Sequence, residues 1–90
     1  MQYMIIEKFR PGNERYIYLR FEEKGRMLPE GLQYINSWIN EDVTVCYQLM
    51  ETADRSRLGA WISRWEDLAE FEVEPVISSA AAKQKVFGRD

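Results

Sequence analysis

Two carboxylates sit in largely apolar runs: Glu7 in Tyr3-Met4-Ile5-Ile6-Glu7, and Glu51 at the end of Cys46-Tyr47-Gln48-Leu49-Met50-Glu51. A carboxylate in an apolar pocket resists ionisation, so its pKa climbs toward neutrality, where it can serve as a general base. Tyr34, Asn36 and Trp38 alternate along a third run, and Tyr47 shares the phase of Glu51. Aromatic walls with a few polar groups are the makings of a small-molecule site. On this reading Glu7 or Glu51 is the candidate catalytic base and Asn36 a donor to a developing oxyanion. Tyr34, Trp38 and Tyr47 form the walls, and Arg26, in Arg26-Met27-Leu28-Pro29-Glu30-Gly31, closes over the mouth. Each has a plainer alternative. The two Glu residues can pair with Lys8, Arg10 or Arg26 at strand ends, and the Arg26 segment can be a Pro- and Gly-punctuated connection.

Other chemistries are excluded by what is missing. The 90 residues contain no His and a single Cys, so Ser-His-Asp and Cys-His nucleophile pairs and His-built zinc or haem sites have no source. No metal and no cofactor is expected. Cys46, between Val45 and Tyr47, has no neighbouring base to lower its pKa and reads as a buried, inert thiol. Twelve basic against fifteen acidic residues give a net charge of −3, which argues against nucleic acid and anionic lipid as partners. The acidic run Glu70, Glu72, Glu74 has no wrapping loop for a hard cation and reads as a solvated edge. No run approaches the roughly 20 apolar residues of a membrane span. The opening Met1–Glu7 lacks the basic region of an export signal, so the cytoplasm is the expected compartment.

These residues need elements to position them. Gln2 to Phe9, stopped by Pro11-Gly12, reads as a strand with two apolar faces and therefore a central one. Asn13 and Glu14 open a helix with Ile17, Tyr18 and Phe21 on one side, and Gly25 closes it. Tyr16 and Leu19 fall outside that stripe. Leu32–Asn40 and Thr44–Glu51 read as a hairpin turning at Asn40-Glu41-Asp42. Asp54 can cap a second helix, on which Leu58, Trp61, Ile62, Trp65 and Leu68 recur at helical spacing. Glu70–Ile77 alternates as a last strand, and Pro75 places it at an edge. Residues 1–78 thus form one domain, and residues 79–90 a mobile tail with room for a short helix at Ala80–Val86.

The order β-α-β-β-α-β defines an α+β, ferredoxin-like fold: a four-stranded antiparallel sheet with two helices on one face. Alternation groups Glu7 with Tyr34, Asn36, Trp38, Tyr47 and Glu51 on the open face. Met4, Ile6, Ile35, Ile39, Cys46 and Met50 then lie under the helices, where Ser37 and Gln48 would need partners. An open face so rich in rings exceeds the apolar patch a soluble monomer normally shows. Two sheets are therefore expected to pack face to face in a homodimer, with the candidate site between them.

Four blocks carry a family resemblance: Met4–Gly12 (MIIEKFRPG), Gly25–Leu32 (GRMLPEGL), Cys46–Thr52 (CYQLMET) and Trp61–Val76 (WISRWEDLAEFEVEPV). Together they resemble the small bacterial domain of unknown function (DUF3303), which is similar to the dimeric α/β barrel proteins. That superfamily includes cofactor-free monooxygenases, isomerases and plain binding modules, so the resemblance implies a fold and a dimer and leaves activity open. Two functions are carried forward. One is a homodimeric domain binding a small apolar ligand or a protein partner. The other is a cofactor-independent oxygenase or isomerase acting on a small apolar substrate in the barrel cavity.

Overall fold

The run Gln2–Phe9 forms strand β1, the second-from-edge strand of a single antiparallel sheet, in a computed structural model that describes residues 1–88. Helix α1 (Glu14–Lys24) follows, then β2 (Gln33–Ile39), β3 (Val45–Glu51), α2 (Ser56–Ile62), β4 (Ala69–Val76) and α3 (Ser79–Phe87). The sheet order is β2-β3-β1-β4, so each of the first two helices crosses over to a non-adjacent strand. The fold is α+β and ferredoxin-like, as the element order predicts. Strand β4 is an edge, which accommodates Pro75 opposite Tyr3 without loss of an interior ladder bond.

Helices α1 and α2 cover one sheet face. Ile5, Met50 and Leu58 are fully enclosed there, together with Tyr3, Ile17, Trp61 and Trp65. Burying each large apolar side chain contributes roughly 1.5–3 kcal/mol, so this single layer supplies most of the folding drive. Trp61 meets Phe71 of β4 edge-on at 5.5 Å. The second helix is shorter than its apolar spacing suggests: it ends at Ile62, and turns continue through Leu68. Trp65 still faces inward because its N–H and that of Leu68 close three-residue turns onto Ile62 and Trp65 carbonyls. Asp54 does hold the start of α2, accepting from both the backbone N–H and the hydroxyl of Ser56.

The strand phase differs from the alternation expected of the sequence. Glu7 is registered with Cys46, and Ile5 with Gln48, so Glu7, Cys46, Gln48 and Met50 share the helix-covered face. Tyr47, Leu49 and Glu51 share the open face with Ile6, Met4 and Gln2. Strand β2 changes phase within itself: a register shift between Tyr34 and Asn36 leaves Ile35 without a partner. Tyr34 is thereby turned toward the helices beside Met50, while Asn36 and Trp38 point to the open face beside Leu49 and Tyr47. Ile39, registered with Cys46, stays on the covered side, whereas Met4 and Ile6 do not.

Beyond β4 the chain enters α3, capped by the Ser78 side chain, which accepts from the Ala81 N–H. No residue of α3 is buried. The short helix expected within 79–90 is therefore present and slightly longer, and Arg89 and Asp90 lie outside the described residues.

Candidate functional site

Between α1, α2 and the sheet lies a cavity of about 140 Å³. Its floor is Glu7 of β1, Cys46 and Gln48 of β3 and Ser37 of β2. Ile17, Tyr18 and Phe21 of α1 form one wall, and Trp61 and Trp65 another. Arg26, just past α1, completes the lining.

Glu7 is the deepest charged group, with 4% of its surface exposed. Its Oε2 accepts a hydrogen bond of 2.7 Å from Gln48 Nε2. No described residue donates to Oε1, and every enclosed side-chain polar atom among the described residues has a partner, so Oε1 opens on the cavity. Burial pushes the Glu7 carboxyl from 4.5 to about 7, against the opposing pull of the Gln48 hydrogen bond. Near neutral pH this group therefore exchanges a proton readily. Beside it, burial and the Glu7 charge push the Cys46 thiol up to about 12, which removes it as a nucleophile. Tyr18 is also raised, by burial first and then by Cys46 and Glu7. Ser37 is satisfied by Tyr34, whose hydroxyl lies 2.6 Å from its Oγ. The partners that Ser37 and Gln48 need under the helices are thus Tyr34 and Glu7.

Arg26 is fixed by its backbone. Its carbonyl accepts from both indoles, Trp61 Nε1 at 3.0 Å and Trp65 Nε1 at 3.1 Å. Two left-handed residues, Gly25 at φ 68° and Met27 at φ 57°, bracket it and turn the chain out of α1 across the cavity. Its guanidinium stacks on the Tyr34 ring, 3.5 Å from the centroid, with Phe21 at 5.0 Å. The loop is held from below as well, since Arg64 Nη1 donates to the Met27 carbonyl.

A family model for the domain of unknown function (DUF3303) matches residues 1–88. The chain belongs to this family. No curated protein and no solved structure matches it. The DUF3303 chain separates the candidate residues into two groups. Glu7 and Arg26 line the cavity, with Tyr34 stacked behind Arg26. Asn36, Trp38, Tyr47 and Glu51 lie on the opposite sheet face, because a strand sends successive side chains to opposite sides and Glu7 shares the phase of Cys46. Neither carboxylate pairs at a strand end with Lys8 or Arg10, which instead reach Glu72 and Glu70 of β4. Gln48, Ser37 and Tyr18 complete the cavity and were absent from the candidate set. Their signal was the presence of polar atoms in phase with Cys46 and Ile39, and of a Tyr on the inner stripe of α1. No helix of the described residues is long and apolar enough to cross a membrane.

Proposed function

We propose that this domain binds a small, mostly apolar molecule between its helices and sheet, with Glu7 as the polar anchor of the ligand, and that it does so as a homodimer. The observation that carries the binding reading is the unoccupied side of Glu7: an enclosed carboxyl with one neutral donor, no ion pair among the described residues, and a second oxygen turned into an aromatic-walled cavity. A cavity near 150 Å³ lined by apolar side chains accepts benzene, so a volume of about 140 Å³ suits a single ring.

The dimer is supported by the opposite sheet face. Ile6, Tyr47 and Trp38 stand in one cross-strand row, and Met4 and Leu49 in the next, continuing to Asn36. Trp38 is 52% exposed there, and a twin sheet would cover the row by the same residues.

Binding is tested by titrating the protein with 4-methylphenol while recording amide and indole resonances. Shifts confined to Glu7, Tyr18, Cys46, Gln48, Trp61 and Trp65 are expected, with Trp38 unmoved. Shifts at Trp38 and Tyr47 alone would move the site to the sheet face, and no shifts at millimolar ligand would overturn the reading.

A second reading is favoured by the carboxyl near 7. Such a group can take a proton from carbon; returning it at another carbon completes an isomerisation, and leaving the carbanion to molecular dioxygen is the step that a cofactor-independent oxygenase requires. Substituting Glu7→Gln would then abolish turnover while preserving binding of the substrate. Asn36, on the far face, has no part in that chemistry, and Ser37 and Tyr18 are the hydroxyls at hand.

A further inference from the structure

The cavity carries two opposite charges that do not neutralise each other. Glu7 and Arg26 both line it, yet no ion pair joins them within 4.0 Å. Arg10 reaches Glu66 and Glu70, Arg20 forks onto Asp67, Arg57 faces Asp54, and Arg64 donates to a carbonyl, while Arg15 and Arg55, without polar partners among the described residues, are exposed to solvent as Arg26 is not. The Arg26 guanidinium has only the faces of Tyr34 and Phe21. Stacking occupies the flat faces of a guanidinium and leaves its N–H donors pointing outward in its own plane. Among the described residues none of those donors is used by a side chain or a carbonyl.

This is an expensive arrangement to hold by accident. The backbone carbonyl of Arg26 is gripped by two tryptophan indoles, and Met27 beside it adopts a left-handed conformation that a residue with a Cβ resists. The loop is fixed, the guanidinium is stacked, and Arg26 lines a cavity walled largely by apolar rings. A planar fork of donors in partly desolvated surroundings matches a carboxylate, which it binds through two parallel hydrogen bonds.

We infer that the ligand is a single-ring carboxylic acid whose carboxylate is taken by Arg26, with a separate hydrogen-bond donor of the same ligand placed on Glu7. The inference rests on the cavity being a binding site, and it adds the charge and polarity of the occupant. The ends are not interchangeable. A second carboxylate beside Glu7 would meet like charge at the enclosed end, whereas a hydroxyl there supplies the donor that Oε1 lacks. Arg26 is half-buried, so the acid end lies nearer solvent, where a charged group keeps part of its hydration.

The test compares 4-hydroxybenzoate with 4-methylphenol, which shares ring and hydroxyl and lacks the carboxylate, by calorimetric titration of the full chain. The acid is expected to bind at least tenfold more tightly than the phenol. Arg26→Gln, which keeps a planar group for stacking on Tyr34, should remove that advantage, weakening the acid far more than 4-methylphenol. Arg26→Lys, with its charge intact and its fork lost, should retain part of it. Equal affinity for the two compounds, or an equal loss of both in Arg26→Gln, would overturn the carboxylate assignment while leaving the cavity a binding site. Failure of both compounds to bind the wild-type chain would overturn the site itself. Melting curves of the variants separate a folding defect from a lost contact.

Discussion

Glu7 enters the folded state with 4% of its surface exposed and with Gln48 as its one donor among the described residues, so its ionised form is held less well than in the unfolded chain. The group therefore binds its proton more tightly when folded, at about 7 against an ordinary 4.5. Below 4.5 both states are protonated and Glu7 imposes no penalty. As pH rises from 4.5 to about 7 the unfolded chain releases the proton first, and folding stability falls. Above 7 the penalty is constant, at roughly 3 kcal/mol, from about 1.4 kcal/mol for each unit of displacement. Asp54 and Asp67 have the opposite sign, lowered by Ser56 and Arg20 respectively, and they titrate below 3.8, outside this window. Denaturant unfolding from pH 4.5 to 8 should therefore show decreasing stability, and Glu7→Gln should flatten the profile and be the more stable protein at pH 8. A wild-type profile that rises across this interval would show that Glu7 is solvated in the folded protein. The same residue illustrates why sequence places a buried carboxyl poorly. An alternating pattern assigns polar side chains to the wet face, and Glu7 is the exception because its burial is offset locally, by Gln48 from the neighbouring strand.

At the scale of elements, much was legible because several independent signals agreed. Pro11-Gly12, Gly25, Asn40 and Pro75 each punctuate the chain where local conformation demands it, and the βαββαβ order leaves few ways to build one sheet. What was not legible is the relative phase of the strands. Strand β1 is apolar on both sides, so its own pattern selects neither face, and β2 reverses phase at the shift beside Ile35. A bulge leaves no mark in composition, and one unpaired residue moved Tyr34 to the covered face and left Trp38 on the open one. The hairpin joining β2 to β3 also contains a conflict between residue and backbone. Val43 sits at φ 58°, a conformation that costs a β-branched side chain about 1–2 kcal/mol. The turn tolerates it because Asn40 Oδ1 accepts from the N–H groups of Thr44 and Val45, at 2.8 and 2.9 Å. Val43→Asn should relieve the strain without the unfolded-state entropy that glycine brings, raising stability by about 1 kcal/mol. Chemical denaturation measures this directly, and a loss of stability would mean that the exposed Val43 side chain packs against something beyond this chain.

For the whole molecule, the two faces of the sheet set different requirements. The covered face is closed by α1 and α2 and holds the cavity, so the proposed binding would ask nothing of a partner. The open face holds Ile6, Leu49, Tyr47 and Trp38 with no helix over them, while α3 leaves Val86 and Phe87 exposed beyond the edge strand. Its β4 margin is acidic, and Lys8 is already committed to Glu72 there, so the apolar rows of β1, β3 and β2 are the part available for pairing. A two-fold axis through those rows would lay like on like and keep the acidic margins apart at the rim. Leu49 lies at the centre, between Met4 and Asn36. Placing an ammonium there without a counter-charge costs roughly 3 kcal/mol per interface, about a 100-fold loss of association. Sedimentation of the wild-type chain should give twice the 10.7 kDa of one copy, and Leu49→Lys should give one copy at the same concentration. Tyr16→Lys, on the outer side of α1, should leave the mass unchanged. Because the cavity lies on the other side of the sheet, the Leu49→Lys monomer should still bind its ligand with affinity within a few-fold of the wild type. A wild-type chain that sediments as a single copy at high micromolar concentration would remove the dimer and leave the cavity standing.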